Sequence, residues 1–545
     1  HASSPASSTA RVRKGSLIQQ PQPPVLSLFS RFQGSNSTGA QGTSPYTGEV
    51  LLNRHHHCMT IKNSGLATVV VLQSPSSLSQ SRSSSGISSG RSRAGGFPPM
   101  MTATRSALLV MMVVGRATGE TLAAGGNHVC VVTTTGGVKC WGYNSEGQLG
   151  YGDTDKRGAS TDTLGAELND VDLGTGRTAV SVTAGDQHTC AVLDDGSLKC
   201  WGYGNNGQLG QGNTTSHGDT ADTMGDSLAP VDLGTLSTGG VRKAVKAVAG
   251  TEFTCVLTED GQVACFGRND YGEVGVGRSG DIGKVPADMG DGLEMVDFGA
   301  FLNGSAVDIS SGPCALFGEG SVKCWGNNLY GSTGVPGSVD VGLDTGDMGD
   351  ALPAVPLGSA EGQSLAATLV TSGHRHNCAV FGGAASGQVK CWGKNTQGNL
   401  GLGYVHDLGN DDDELGDSLS FTDLGLSASV SRIDGGLDHT CALLTDGSVK
   451  CWGKNYFGAL GLGDYKTRGY GASQMGTALP TVFLGDNRTA VDVSCGQDFS
   501  CAVLDDGGVK CWGDGAQGKL GQGNSQQLGD EPLEMESLSA VDLGS

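Results

Sequence analysis

Proline is scarce in this chain of 545 residues, with 16 prolines against 92 glycines. The shortage excludes both a collagen and a proline-rich linker. Apolar residues make up 37%, fewer than a helical enzyme of this size carries, which suits a turn-rich all-β protein. No run of 18 apolar residues exists, so no ordinary transmembrane helix is expected. Positive charge is short as well: 34 Lys and Arg face 55 Asp and Glu, a net charge of −21. Residues 1–99 hold nine of those 34 and only Glu49 of the 55, which leaves 25 basic and 54 acidic residues, net −29, in residues 100–545. A body that acidic repels phosphate backbones, so it is not expected to bind nucleic acid.

Residues 1–99 are rich in serine, most of all in "SPSSLSQSRSSSGISSGRSRAGG" (Ser74–Gly96), and too poor in apolar surface to offset ordering entropy; they are expected to be disordered. "HHHC" (His55–Cys58) has no second ligand cluster, so no metal site is assigned. "GISSG" (Gly86–Gly90) spells a nucleophile elbow but lacks the flanking strand and helix. In residues 100–116, Met100-Met101, Arg105 and "SALLVMMVVG" (Ser106–Gly115) have the form of a short signal peptide; an extra β-strand is the alternative.

From residue 117 to 545 one sentence is repeated seven times. Its second cysteine is in turn Cys140, Cys200, Cys265, Cys324, Cys391, Cys451 and Cys511, a period near 60. Its first cysteine lies ten positions upstream at Cys130, Cys190, Cys255, Cys314, Cys441 and Cys501, and thirteen upstream at Cys378, where "GGAASGQ" enlarges the turn. "CAVLDDGSLKC" (Cys190–Cys200) is two short strands around a three-residue turn, with glycine where positive φ is needed. Folding it about Asp195 sets Val192 opposite Leu198 and Cys190 opposite Cys200, close enough for a disulfide. Seven cross-strand disulfides are therefore expected, with free buried thiols as the alternative. They join Cys130 to Cys140, Cys190 to Cys200, Cys255 to Cys265, Cys314 to Cys324, Cys378 to Cys391, Cys441 to Cys451 and Cys501 to Cys511. Neither zinc-type nor thioredoxin-type cysteine spacing occurs. Cys495, which has Ala124, Ala184 and Ala249 as counterparts, is expected to be a buried small residue.

All six tryptophans share the slot after the second cysteine (Trp141, Trp201, Trp325, Trp392, Trp452, Trp512), with Phe266 in the third unit. One recurring aromatic slot implies packing between units. Three residues later stand Asn144, Gly204, Asn269, Asn328, Asn395, Asn455 and Gly515, residues that tolerate left-handed backbone, which predicts a fixed turn. A closing segment, "VDLG" (Val171–Gly174) or a variant, follows each pair, the last at Val541–Gly544. This order predicts a ring latched by its final strand, which would complete the first blade.

"HTCALLTDGSVKCWGKNYFGALGLG" (His439–Gly463) resembles the regulator-of-chromosome-condensation repeat family in its strand, Asp-Gly turn, strand, aromatic-Gly and G-x-L-G order. The G-x-L-G recurs at Gly147–Gly150, Gly207–Gly210, Gly398–Gly401, Gly458–Gly461 and Gly518–Gly521. The resemblance implies an all-β fold, a seven-bladed β-propeller of four-stranded antiparallel blades. The family includes an exchange factor for a small GTPase, a secreted inhibitor, ubiquitin-ligase propellers and a plant ultraviolet-B photoreceptor. The photoreceptor's Gly-Trp-Arg-His-Thr pattern is replaced here by "GDQHT" (Gly185–Thr189) and "GLDHT" (Gly436–Thr440), and no stretch matches the GTPase-contacting residues. The paired cysteines resemble those of extracytoplasmic members.

His128, His188, His376 and His439 stand two residues before a first cysteine, where Phe253 and Phe499 stand elsewhere, which predicts packed, hydrogen-bonded imidazoles. The acidic loops "MGDSL" (Met224–Leu228), "MGDGL" (Met289–Leu293), "MGDAL" (Met348–Leu352) and "LGDSL" (Leu415–Leu419) lack calcium-loop spacing and read as turns, with Ca²⁺ or a basic partner as the alternative. No catalytic residue, cofactor site or metal site is assigned. The expectation is a non-enzymatic, monomeric scaffold outside the cytosol that binds a protein through its loops. An intracellular exchange factor for a small GTPase is the alternative, and a glycan-binding or hydrolytic propeller a remoter one.

Overall fold

The computed structural model describes residues 50–53, 58–63, 66–71, 121–300, 305–425 and 429–544. The signal-like stretch at 100–116 lies outside them. Of the region expected to be disordered, three strands are described, Val50–Asn53, Cys58–Asn63 and Leu66–Val71, paired antiparallel in that order.

The repeat region forms seven three-stranded antiparallel sheets at 122–142, 179–202, 244–267, 306–324, 367–393, 430–453 and 490–513. In blade one the inner strand is Leu122–Ala124, the middle strand His128–Val132 and the third strand Val138–Gly142. A turn with glycine at positive φ carries the middle strand into the third, preceded by aspartate in blades two, three, six and seven. Gly196, at φ 82°, lies in the left-handed region that glycine enters at no steric cost. The predicted register holds, with Val192 opposite Leu198 and Cys190 opposite Cys200. The same register sets Cys130 opposite Cys140, Cys255 opposite Cys265, Cys314 opposite Cys324, Cys378 opposite Cys391, Cys441 opposite Cys451 and Cys501 opposite Cys511. The inner strands of blades two to seven carry an irregularity of register after their first residue, as between Ala179 and Ser181.

The closing segment is the fourth element of every blade. Its first residue donates a backbone hydrogen bond to the third strand of its own unit, as Val171 N does to Val138 O (2.7 Å) and Val541 N to Val509 O (2.7 Å). The final segment therefore completes blade seven, not blade one, which corrects the predicted latch. Each repeat is a whole blade, beginning at its inner strand and ending at its outer edge, so among the described residues of the ring no strand is left over to exchange. The ring closes by repeating the contacts found at other junctions. Gly165 N donates to Asp542 O (2.9 Å) across the last junction as Gly225 N donates to Asp172 O (3.1 Å) across the first. Buried apolar side chains fill the space between adjacent sheets, with Trp201 joining blade two to blade one and Trp141 joining blade one to blade seven.

Candidate functional site

The repeated residues build the junctions between blades. Each tryptophan indole donates to a carbonyl of the preceding unit: Trp201 Nε1 to Gln148 O (3.0 Å), Trp452 Nε1 to Asn399 O (2.9 Å), and Trp141 Nε1 to Lys519 O (3.0 Å). In the structure the two sulfurs of all seven predicted cysteine pairs stand at bonding distance, with Cα–Cα separations of 4.0–4.1 Å. Cys140, Cys200, Cys265, Cys324, Cys391, Cys451 and Cys511 all lie buried on the third strand, each directly before its aromatic. The enlarged turn between Cys378 and Cys391 leaves the facing of that pair unchanged, because its extra residues form a short 3-10 turn at Gly383–Ala385 outside the ladder.

The asparagine slot works differently from the expectation. None of its residues has positive φ. The side chain is what matters: Asn144 Oδ1 accepts from Leu149 N (2.9 Å) while Nδ2 donates to Asp153 O (2.8 Å), holding the following loop. Asn455 repeats the first bond with Leu460 N (2.9 Å). Where the slot is Gly515, the loop closes onto the backbone instead, and an added Cβ would collide with Gln526 O.

A lysine role was missed in the sequence, although the lysine recurs beside the second cysteine. Lys199 Nζ donates to Leu173 O (3.0 Å) of blade one and Gly225 O (2.7 Å) of its own loop. Lys323, Lys390 and Lys450 bridge the corresponding carbonyls, each buried. Blade three has Ala264 there, and Arg242 Nη1 from elsewhere in the repeat supplies the bond to Leu233 O (2.9 Å).

The four histidines are structural too. His128 Nε2 lies 2.8 Å from Thr189 Oγ1, whose own proton goes to Gln148 O (2.8 Å). The hydroxyl must then accept, so the imidazole is the neutral Nε2–H tautomer. His188 with Thr254, His376 with Thr440 and His439 with Ser500 repeat the arrangement. Burial holds these rings neutral, His128 and His376 down to about 3 and His188 and His439 to about 4. Cys495 is buried, and burial raises its thiol well above the usual range. Its sulfur gathers with His439 and Cys441 within 4.8 Å, but the Cys441 sulfur stands at bonding distance from that of Cys451.

The acidic loops are junction pieces. Asp226 accepts from Thr175 N (2.8 Å) and Thr175 Oγ1 (2.6 Å), and Asp417 accepts from Ser359 N (2.6 Å), each reaching back to the preceding blade. These hydrogen bonds hold both carboxyls below the ordinary range.

At the ring axis a cavity of about 270 Å³ takes residues from all seven inner-to-middle turns, from Gly125 in blade one to Gln497 in blade seven. The turns are laced together, Gly126 N to Gly185 O (3.0 Å) and His374 N to Gly436 O (3.1 Å). Its charges are mixed. Arg268 pairs with Glu252 (2.9 Å) and Asp270 (2.7 Å). Burial pushes Asp186 up to about 6, against the hydrogen bond from Gln497 (3.0 Å), and also raises Glu273. Beside blade four Trp325, Asn327 and Ser332 join its wall. There the inner-to-middle turn is short: four positions separate Ser310 from its partner Cys314, against seven between Thr183 and Cys190.

The regulator of chromosome condensation (RCC1) repeat matches residues 121–148, 179–273 and 430–519. The ultraviolet-B receptor UVR8 of Arabidopsis thaliana is 30% identical over 412 residues, 74% of this chain and 79% of that protein. The secretion-regulating guanine nucleotide exchange factor of Bos taurus is 27% identical, covering 73% of this chain and 78% of that protein. Among solved structures, yeast RCC1 (Prp20) bound to Kap60 superposes with a TM-score of 0.54 at 19% identity, over 78% of this chain and 86% of that one, a likeness of fold.

Proposed function

Because this chain belongs to the regulator of chromosome condensation (RCC1) repeat family, we infer that it is a non-enzymatic propeller scaffold that binds another protein through its loop faces, outside the cytosol. One observation carries the reading: every blade sets a cysteine pair face to face, Cα atoms 4.0–4.1 Å apart, in the same hairpin register. Pairs so placed oxidise where the compartment permits, and such bonds persist in secretory and extracellular settings. Oxidation of all seven pairs in the working protein is part of the proposal. Among the described residues no helix is long and apolar enough to cross a membrane. Binding sites usually lie on loops held by a stiff frame, and the axial cavity is walled by such loops.

The test is affinity capture with the full chain in oxidising buffer, against secreted and cytosolic extracts in parallel. A specific partner from the secreted fraction supports the reading; a specific partner from the cytosolic fraction alone defeats it. The second reading is an exchange factor for a small GTPase, favoured by the match over 78% of the bovine exchange factor. Accelerated release of labelled GDP from a small GTPase would decide for it.

A further inference from the structure

Six of the seven blade junctions obey one pairing rule. It links the residue two before a first cysteine with the residue just before the first cysteine of the next blade. A histidine is matched by a hydroxyl: His128 by Thr189, His188 by Thr254, His376 by Thr440, His439 by Ser500. A phenylalanine is matched by an apolar residue, Phe253 by Pro313 and Phe499 by Val129. The junction of blades four and five breaks the rule. Blade four offers Gly312, which has no side chain, while blade five offers Asn377, an acceptor.

Asn377 is 3% exposed and lines the axial cavity. Its Nδ2 donates to Ser332 O (2.6 Å), which fixes the amide orientation, since the reverse would set two oxygens together. Its Oδ1 then has no hydrogen-bond partner. A buried acceptor without a donor is costly, so this junction is built one donor short. The shortened turn of blade four opens the cavity at the same place.

The charge of the wall gives the donor's character. Glu273 lines the cavity at a slot held by Gln148 and Gln208 in the first two blades, and no ion pair joins it among the described residues. Arg268 is taken by Glu252 and Asp270. Arg375 lies over the Tyr330 ring, 5.3 Å from its centroid. Asp186 accepts from Gln497, so among the described residues the wall carries two carboxylates without an ion pair against one such guanidinium, Arg375, which also donates to Tyr330 Oη (3.4 Å). At about 270 Å³ the cavity has room for one long side chain.

We propose that this cavity receives one basic side chain, lysine or arginine, of a partner polypeptide, whose N–H donates to Asn377 Oδ1 and whose charge meets Glu273. The inference rests on the protein-binding reading above. It is tested by titrating the full chain with N-acetyl-arginine amide and N-acetyl-lysine amide, and with neutral citrulline and norleucine counterparts, by calorimetry. N377T and E273Q install residues that other blades carry in these slots, and N377T removes the unmatched acceptor, so both should fold with a Tm no lower than the parent's.

The expected result is saturable binding of a cationic amide, weakened by salt, absent for its neutral counterpart, and reduced about tenfold by either substitution. No binding, equal binding of the neutral amides, or equal binding by both variants overturns the proposal. The two readings fail separately. A captured partner that binds N377T and E273Q as tightly as the parent sinks the cavity assignment and leaves protein binding standing. Saturable cation binding without any captured partner does the reverse: it keeps the site and assigns it to a free organic cation.

Discussion

A lysine beside a cysteine looks like a solvated charge on a strand, yet Lys450 is buried and donates to Leu424 O (2.7 Å) and Gly476 O (3.0 Å), tying two blades together. Lys450→Met keeps the volume and removes both donors. It should cost about 2–4 kcal/mol in chemical denaturation, since each stranded carbonyl costs about 1–3 kcal/mol. Blade three supplies the control. Arg242→Ala should destabilise by about 1–3 kcal/mol by freeing Leu233 O, and adding Ala264→Lys should recover much of that loss. If Arg242→Ala is neutral, the arginine does not stand in for the lysine. The residue scale also shows where sequence reading stops. The facing register of the cysteines and the packing of the aromatics were legible because a recurring slot with one plausible contact leaves little choice. The asparagine slot was misread because Asn and Gly share two properties, backbone tolerance and compatibility with a closely approaching loop. Only the φ angles and the bond from Leu149 N to Asn144 Oδ1 separate them.

At the scale of the element, six of the seven junctions couple a histidine or phenylalanine on one blade to its match on the next. His128, His188, His376 and His439 are kept neutral by burial, at about 3 to 4, against 6.5 when unfolded. Below pH 6.5 the unfolded chain binds protons that the folded chain refuses. Stability that is complete above that pH is therefore lost as pH falls toward 4, at about 1.4 kcal/mol per pH unit for each histidine. Asp186 works the other way, because its carboxyl, held up to about 6, is relieved as pH drops below that value. The pair H128F/T189V copies the junction of Phe499 and Val129, and Gln148 O keeps the Trp201 indole as donor. Its stability should fall less steeply between pH 6.5 and 4.5, by about one histidine's share, and an unchanged slope would show that His128 titrates in the folded state. The closing segment belongs to this scale too. Hairpin and register were legible from alternation and turn chemistry, but the partner of the last strand was not. A permuted and an unpermuted ring contain the same repeats, and only the bond from Val541 N to Val509 O distinguishes them. Deleting Ser539–Ser545 should lower stability by several kcal/mol, because it strips the edge of blade seven and removes Asp542 O from Gly165 N. A deletion that melts like the full chain would show the segment is dispensable.

For the whole molecule, the ring is seven thin sheets, each too small to stand alone, joined side by side through buried tryptophans, lysines and histidines. The blade count was legible because the period is written in the cysteines; the axial cavity was not, since it depends on a turn lost from blade four and on residues far apart in the chain. Charge acts at this scale as well. With a net −29 in residues 100–545, the chain should show little retention on immobilised DNA at physiological salt, and retention that vanishes with residues 1–99 would point to their basic side chains. The cysteines give the sharpest test of where the molecule works. A disulfide across so short a loop removes only modest chain entropy, about 2–3 kcal/mol for each pair. Repeated in all seven blades it would be a large share of the marginal stability of a domain, and the hairpin register already holds each pair together. Cys495, with its thiol buried and raised, should stay reduced beside the Cys441–Cys451 pair. In protein from its native source, alkylated before digestion, non-reducing peptide mapping should find the seven pairs blocked, from Cys130–Cys140 to Cys501–Cys511, with Cys58 and Cys495 alkylated. All sixteen cysteines alkylated would mean a reducing compartment, and the exchange-factor reading would take the place of the scaffold.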